Sequence, residues 1–472
     1  MSDSNRRLVV VSNRVGPLVS GGKAGGLAVA MADALKERGG LWFGWTGELS
    51  DAGTWGPIRR ETHGSGPSAI TLATLDMTQE DHTQFYEGYA NRVLWPLLHY
   101  RTDLIDYDPK DEDGYKRVNH RFATRLAAMV EPDDLIWVQD YHYLTFAQQL
   151  RMAEASNRIG FFLHIPFPPP DVFNVLPGAD EMLRALLAYD VLGFQTQGDA
   201  ENMIALLLGQ GGERTGPSKV EIMGRTLTIK SFPIAIDAQS FAELATTEDA
   251  QIAQARAERL LNGRQQIIGV DRIDYSKGLP ERFKGFKKLL EDYPENSGRV
   301  SFLQIAPPSR GTLDAYARIR EELEQISGHV NGRFGDIDWV PIRFTTRGQT
   351  RSALAGLYRA SRVGLVTPLR DGMNLVAKEY IAAQDPDDPG VLVLSQFAGA
   401  AEQMTQAVIV NPYSDGDVAE GIQTALRMDK AERVDRYQAL MGMLVENDVN
   451  AWRRSYLQAL EGRGCAEGTE PR

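Results

Sequence analysis

Short apolar, strand-like runs alternate with longer amphipathic stretches along almost all of this 472-residue chain. That alternation is the pattern of parallel β-sheets covered by crossover helices, so the fold class is α/β. In the first half the apolar runs are Leu8–Ser12, Leu41–Trp45, Ile70–Leu75, Leu135–Gln139, Ile159–His164 and Val191–Gln195, with a less regular pair near Val220–Phe232. The cycle restarts with Gln266–Val270, Val300–Ile305, Trp339–Phe344, Val363–Thr367, Val391–Ser395 and Ala407–Val410. Two Rossmann-like, doubly wound domains facing a central cleft are the simplest account, because a chain of this length exceeds one compact core. The expected bounds are residues 1–234 and 235–450. A terminal segment, 451–472, is read as a helix of the kind that packs back on the first domain, followed by a Gly/Glu-rich disordered tail.

The formal net charge of −12 argues against nucleic-acid or anionic-membrane partners, since the long-range field repels polyanions. A small anionic substrate must then be met by a local cluster of cations. One cysteine, Cys465, excludes an internal disulfide framework and any cysteine-held metal cluster, and fits a reducing cytoplasm. The seven histidines lack the spacing of a zinc helix, so no protein-held catalytic metal is expected. Neither a signal-peptide core nor a run of membrane-spanning length is present in the sequence. Assembly into a homo-oligomer stays open.

Ligands of open α/β sheets bind outside the carboxyl ends of the strands, so the polar residues just after each apolar run carry the functional argument. Asn13 and Arg14 follow the first run, and Gly21–Gly26 then opens a helix, where Gly25 and Gly26 allow backbone to approach a ligand. Asp140 follows Leu135–Gln139, and His164 ends the next run. In the second half, Arg272 and Lys277 follow Gln266–Val270, Arg310 follows Val300–Ile305, and Asp371 follows Val363–Thr367. Arg14 and Arg310 suit a phosphate on an acceptor. Arg272 and Lys277 suit a departing diphosphate, unless they are tied up by Asp271 or Asp274. Tyr86, Trp95 and His99 lie in an aromatic-rich stretch suited to sugar rings; Trp95 taken alone reads better as a buried aromatic.

The segment Asp371–Glu379 is the most specific. If the chain after Asn374 is helical, its two acids stand about 12 Å apart along the axis, comparable to the span from a hexose to a nucleoside ribose. Between them lie the helix's first N–H groups, at Leu375 and Val376, where a diphosphate could sit. The segment therefore reads either as an ordinary helix with an acidic first turn or as a grip for a sugar nucleotide, with one acid on the sugar, the helix start on the diphosphate and the other acid on the ribose.

These residues, in this order, resemble the trehalose-6-phosphate synthases, retaining glycosyltransferases of the two-Rossmann (GT-B) type. The runs that carry the resemblance span about Leu8 to Leu460. They are Val9–Arg14, Ala24–Ala28, Leu41–Trp45, Leu94–Pro96, Asp140–His142, Ile159–Pro168, Asp274–Phe283, Gln304–Pro307 and Val363–Tyr380. The resemblance implies transfer of glucose from UDP-glucose to glucose 6-phosphate, giving α,α-trehalose 6-phosphate and UDP without a metal or organic cofactor. It implies acceptor contacts for Arg14, Tyr86, Trp95, Asp140 and Arg310, and donor contacts for Gly26, Arg272, Lys277 and the Leu375–Glu379 segment. His164 and Asp371 match positions that touch the transferred glucose. It further implies same-face transfer in which a donor phosphate oxygen takes the proton, which agrees with the absence of a glycosidase-like carboxylate pair.

Two positions depart from the family pattern: Gln139 stands where many relatives have histidine, and Thr345–Gln349 differs from the stretch expected beside the donor base, leaving UDP, GDP and ADP open. Within the family the alternative is a glucosylglycerol-phosphate synthase or a related pseudo-glycosyltransferase. A nicotinamide oxidoreductase is disfavoured because no Gly-x-Gly-x-x-Gly follows the first strand. A catalytically silent sugar-phosphate sensor is disfavoured because donor and acceptor sets both look intact.

Overall fold

The computed structural model describes residues 6–16, 31–50 apart from 33 and 37, 53–308 and 314–463. Gly25, Gly26 and Arg310, together with the tail after 463, lie outside them. The chain divides into two compact units: Met1–Pro233 with Trp452–Arg472, and Ile234–Ala451.

The strands of the first unit are β1 (Leu8–Arg14), β2 (Gly40–Leu49), β3 (Arg59–His63), β4 (Ile70–Met77), β5 (Leu135–Gln139), β6 (Arg158–Phe162), β7 (Val191–Phe194), β8 (Glu213–Gly216), β9 (Lys219–Ile222) and β10 (Arg225–Ser231). They form one sheet in the order β3-β4-β2-β1-β5-β6-β7-β10-β9-β8. β1 lies between β2 and β5, Leu8 standing opposite Gly40 on one side and Leu135 on the other, both pairings parallel. Because helices cover both faces, the inner strands are continuous apolar runs: every residue of β5 is buried. The antiparallel additions lie at the edges. β3, with all five residues exposed, pairs with β4, and the β8–β9–β10 meander closes the other side.

The second unit contains β11 (Gln265–Val270), β12 (Val300–Ile305), β13 (Ile342–Thr345), β14 (Val363–Val366), β15 (Val391–Ser395) and β16 (Val408–Val410). Its sheet is wholly parallel, in the order β13-β12-β11-β14-β15-β16. Counted within the unit this is 3-2-1-4-5-6, the doubly wound order whose direction reverses between its first and fourth strands. The corresponding reversal in the first unit falls between β1 and β5.

Two elements differ from the sequence expectation. The sequence marks Thr312–Ile326 as a helical stretch, whereas the helix of the structure runs Asp314–Phe334, because Leu323 and Val330 keep one face buried across Ser327-Gly328. Residues His82–Leu94 form a thirteen-residue π-helix between the short α-turns Gln79–Asp81 and Trp95–Leu98.

The last helix, Val449–Leu460, contributes its Trp452–Leu460 portion to the first unit. Tyr456 stacks on Trp137 of β5 at 4.5 Å, and the Trp452 indole N–H donates to the Phe232 carbonyl at 3.0 Å. Glycine at 193 makes room for it, since a Cβ there would stand 2.7 Å from the Tyr456 ring.

Candidate active site

In the first unit the singled-out residues gather at the carboxyl ends of β1, β5 and β6. Arg14 closes β1 with its guanidinium 4.8 Å above the Trp45 ring. Its carbonyl accepts a hydrogen bond from Ser12 Oγ, which itself accepts from the Trp42 indole, so the strand end is held by side chains of β1 and β2. Asp140 follows β5 at φ +73°, a strained conformation for a residue with a Cβ. Its main-chain N–H donates to the Phe162 carbonyl at 2.8 Å, and its Oδ1 accepts the main-chain N–H of His164 at 3.2 Å. The His164 ring meets Gln139 Oε1 at 2.9 Å from Nε2 and packs against Phe162. Burial lowers its pKa to about 3.

The aromatic-rich stretch begins in the π-helix, which carries Tyr86, and ends in the short α-turn that carries Trp95, with His99 as its cap. The widened turn of the π-helix stacks Tyr86 on His82, with centroids 5.2 Å apart, and on His142 at 5.7 Å with rings nearly parallel. Trp45 lies against both His82 and Tyr86, which links this cluster to Arg14. Trp95 is 4% exposed and packs on His99 and Tyr141, so it supports the cluster from the core. His82 and His142, not singled out by the sequence reasoning, belong to this surface; histidines that reach it from separate elements leave no local spacing signal.

In the second unit the residues gather at the reversal between β11 and β14. Lys277 Nζ donates to Asp371 Oδ2 at 2.5 Å, and Asn374 Nδ2 donates to the same oxygen at 3.0 Å. The expected competitors of Lys277 are occupied elsewhere. Asp271 takes Arg282 at 2.6 Å, while Asp274 accepts the Ser276 main-chain N–H and the Tyr316 hydroxyl. Arg272 is exposed at the end of β11.

Arg282, fully buried, is a further residue that sequence reasoning missed. Besides Asp271 it donates to Gln304 Oε1, Thr367 Oγ1 and the Lys277 carbonyl, so one guanidinium ties together the ends of β11, β12 and β14 and the Lys277 loop. Burial pushes the Asp271 carboxyl upward and Arg282 opposes it. Gly278 follows Lys277 at φ +61°, and a Cβ there would lie 2.6 Å from the Thr367 carbonyl.

Asn374 caps the helix Leu375–Ala382 from φ +82°, its Oδ1 accepting the Ala377 N–H at 3.1 Å. The N–H groups of Leu375 and Val376 are left facing out of the helix end, beside Asp371. One turn on, burial raises Glu379 to about 7 against the opposing charge of Arg351, 3.9 Å away. Lys378 is buried among neutral acceptors, donating to the Ile234 carbonyl and to Gln403 Oε1, and burial lowers it to about 7. Among the described residues no group of three or more His, Cys, Asp or Glu side chains could hold a metal ion, and no helix is long and apolar enough to cross a membrane.

Two doubly wound units, the second presenting a lysine, a carboxylate and an open helix start at its strand reversal, define a sugar-nucleotide-dependent glycosyltransferase of the GT-B class. The family model for glycosyltransferase family 20 matches residues 13–462. A trehalose-6-phosphate synthase of Enterobacter sp. (strain 638) is 45% identical over 458 residues, covering 96% of this chain and 95% of the relative. The crystal structure of a UDP-forming α,α-trehalose-phosphate synthase from Burkholderia xenovorans in complex with glucose 6-phosphate is 46% identical, with a TM-score of 0.90 over 97% of this chain and 100% of that one. A structure from E. coli bound with UDP-2-fluoro glucose is 44% identical, with a TM-score of 0.92 over 96% and 99%. The chain belongs to glycosyltransferase family 20.

Proposed function

We propose that this chain transfers the glucosyl group of UDP-glucose to glucose 6-phosphate with retention, giving α,α-trehalose 6-phosphate and UDP. The observation that carries the reading is the Lys277–Asp371–Asn374 cluster beside the open start of helix Leu375–Ala382. Relatives named for this activity, one solved with glucose 6-phosphate and one with a UDP-sugar analogue, support it.

In this reading the second unit, residues 235–450, holds the donor, and the first, 1–234, holds the acceptor. The end segment, 451–472, belongs with the acceptor domain. Glu379 accepts the ribose hydroxyls, and Leu375 and Val376 present N–H groups to the diphosphate. Arg272 and Lys277 supply fixed positive charge as the bond between glucose C1 and the diphosphate oxygen breaks. Lys277 leaves Asp371 for the diphosphate, which frees Asp371 Oδ2 to accept a glucose hydroxyl. The 1-hydroxyl oxygen of glucose 6-phosphate forms the new bond to C1 on the face that the diphosphate leaves, and its proton passes to the departing phosphate oxygen. Asp140, Tyr86 and the Trp95-supported aromatic surface position the acceptor sugar, and Arg14 meets its phosphate. His164 faces the transferred glucose. Arg310, with the phosphate, and Gly25 and Gly26, at the donor, complete the set. We place the reaction in the cytoplasm.

The test is a panel of UDP-, GDP- and ADP-glucose against glucose 6-phosphate and glycerol 3-phosphate, with products identified by mass and anomeric configuration. Product only from UDP-glucose and glucose 6-phosphate, with both anomeric centres α, is expected. Preference for glycerol 3-phosphate, or an inverted product, refutes the reading.

A further inference from the structure

Gln139 is a buried amide at the end of the apolar run Leu135-Ile-Trp-Val138, 1% exposed. Its Nε2 is buried without a hydrogen-bond partner among the described residues. An apolar side chain of similar volume would avoid that cost. The contribution of the amide therefore lies at its other end, where Oε1 stands 2.9 Å from His164 Nε2.

We propose that Gln139 is a positioning residue for glucosyl transfer, its amide locking the His164 ring in one orientation and one uncharged tautomer. The inference deepens the reading that His164 faces the transferred glucose.

Among the described residues, Phe162 and Trp452 meet the ring besides Gln139, while Asp140 and Gln195 hold its main chain. The Asp140 carboxylate accepts the main-chain N–H of His164, Phe162 of β6 meets the ring edge-on at 4.7 Å, and Trp452 of the last helix lies at 6.5 Å. Gln195 Nε2 donates to the His164 carbonyl at 3.5 Å. These contacts fix the main chain and enclose the ring, and among the described residues the directional contact on a ring nitrogen is that of Gln139. With a carbonyl oxygen as its partner, Nε2 carries the proton and Nδ1 keeps its lone pair. Neutrality matters because positive charge develops on the hexose as its C1–O bond breaks. An imidazolium beside it would oppose that charge, whereas a lone pair can accept a sugar hydroxyl. Burial acts in the same direction, holding the ring uncharged across the neutral range.

The experiment uses the full chain labelled with 15N in its seven histidines, with the His164 signals identified from the spectrum of His164→Asn. In the wild type, one protonated Nε2 and one unprotonated Nδ1 are expected, unchanged from about pH 5.5 to 8.5. Gln139→Leu should release the ring into a mixture of tautomers. Its kcat for UDP-glucose and glucose 6-phosphate should fall about tenfold to a hundredfold, while both KM values and the affinity for UDP stay within about twofold. Gln139→Glu should make His164 titrate inside the pH range, with kcat falling as pH falls and the ring gains its proton. A wild-type His164 that titrates there, that carries its proton on Nδ1 or exchanges between tautomers, or a Gln139→Leu variant with wild-type kcat, overturns the proposal. The spectra require no substrate. If the wild type made no trehalose phosphate, the functional reading would fail while the hold of Gln139 on His164 was still decided.

Discussion

Removing the guanidinium of Arg282 tests whether the donor-side strand ends are held together from within. Arg282→Met keeps most of the aliphatic stem but leaves Asp271, 7% exposed, as a buried carboxylate without its cation. Breaking a buried pair from one side costs about 3–5 kcal/mol. Three further hydrogen bonds, to Gln304, Thr367 and the Lys277 carbonyl, are lost with it. The second unit runs from 234 to 451, which is 218 residues. For a unit of that size each kcal/mol shifts the midpoint by about 2–4 °C, so a drop of roughly 6–20 °C is expected. Calorimetry of Arg282→Met, Asp271→Leu and the double variant provides the assay. In the double variant no charge is left buried, and more than half of the lost stability should return. A single variant within about 1 kcal/mol of the wild type, or a double variant no more stable than Arg282→Met, would refute the reasoning.

On the proposed roles, Lys277→Ala should weaken UDP binding by about 1.5–3 kcal/mol through loss of a charge-assisted contact, whereas Asp371→Asn should lower kcat with little loss of UDP affinity; titration calorimetry and turnover separate the two. If Glu379, raised to about 7, accepts both ribose hydroxyls as proposed, it must ionise to do so; the apparent affinity for UDP should then rise up to about tenfold from pH 6 to 8, and this increment should vanish in Glu379→Gln. Lys378 has a folded pKa of about 7 against 10.5 unfolded, so between those values the unfolded chain binds the extra proton. Denaturant midpoints of the second unit should therefore rise with pH from about 7 to 10 and lose that slope in Lys378→Met.

The inner strands were legible because burial on both faces turns each into an unbroken apolar run, as at Leu135–Gln139 and Val391–Ser395, whose bounds the sequence reading and the structure share. β3 was not: its sequence, Arg-Arg-Glu-Thr-His, has no apolar residue to mark it, and backbone pairing to β4 alone makes it a strand. The helix Pro109–Ala127 went unassigned although its signals are present, with Asp108 as cap, Pro109 in the first turn, and Tyr115, Val118, Phe122 and Leu126 along one buried face. The π-helix has no such template, since its period falls outside the patterns used to read a chain. Charge at the strand ends was readable; pairing was not. Lys277 and Asp371 are 94 residues apart, and Arg282, one of several charges on an amphipathic helix, gives no local sign that it points inward.

Trp452 and Tyr456 cover Trp137, Phe162 and Gly193, yet they are made only after the whole second unit. A ribosome that has finished Pro233 must still synthesise 218 residues, 234 to 451, before that cover exists, a delay of about 10–40 s at ordinary elongation rates. During that interval the nascent first unit shows an uncapped aromatic face to the cell, and any truncation that removes Trp452–Leu460 would make that exposure permanent.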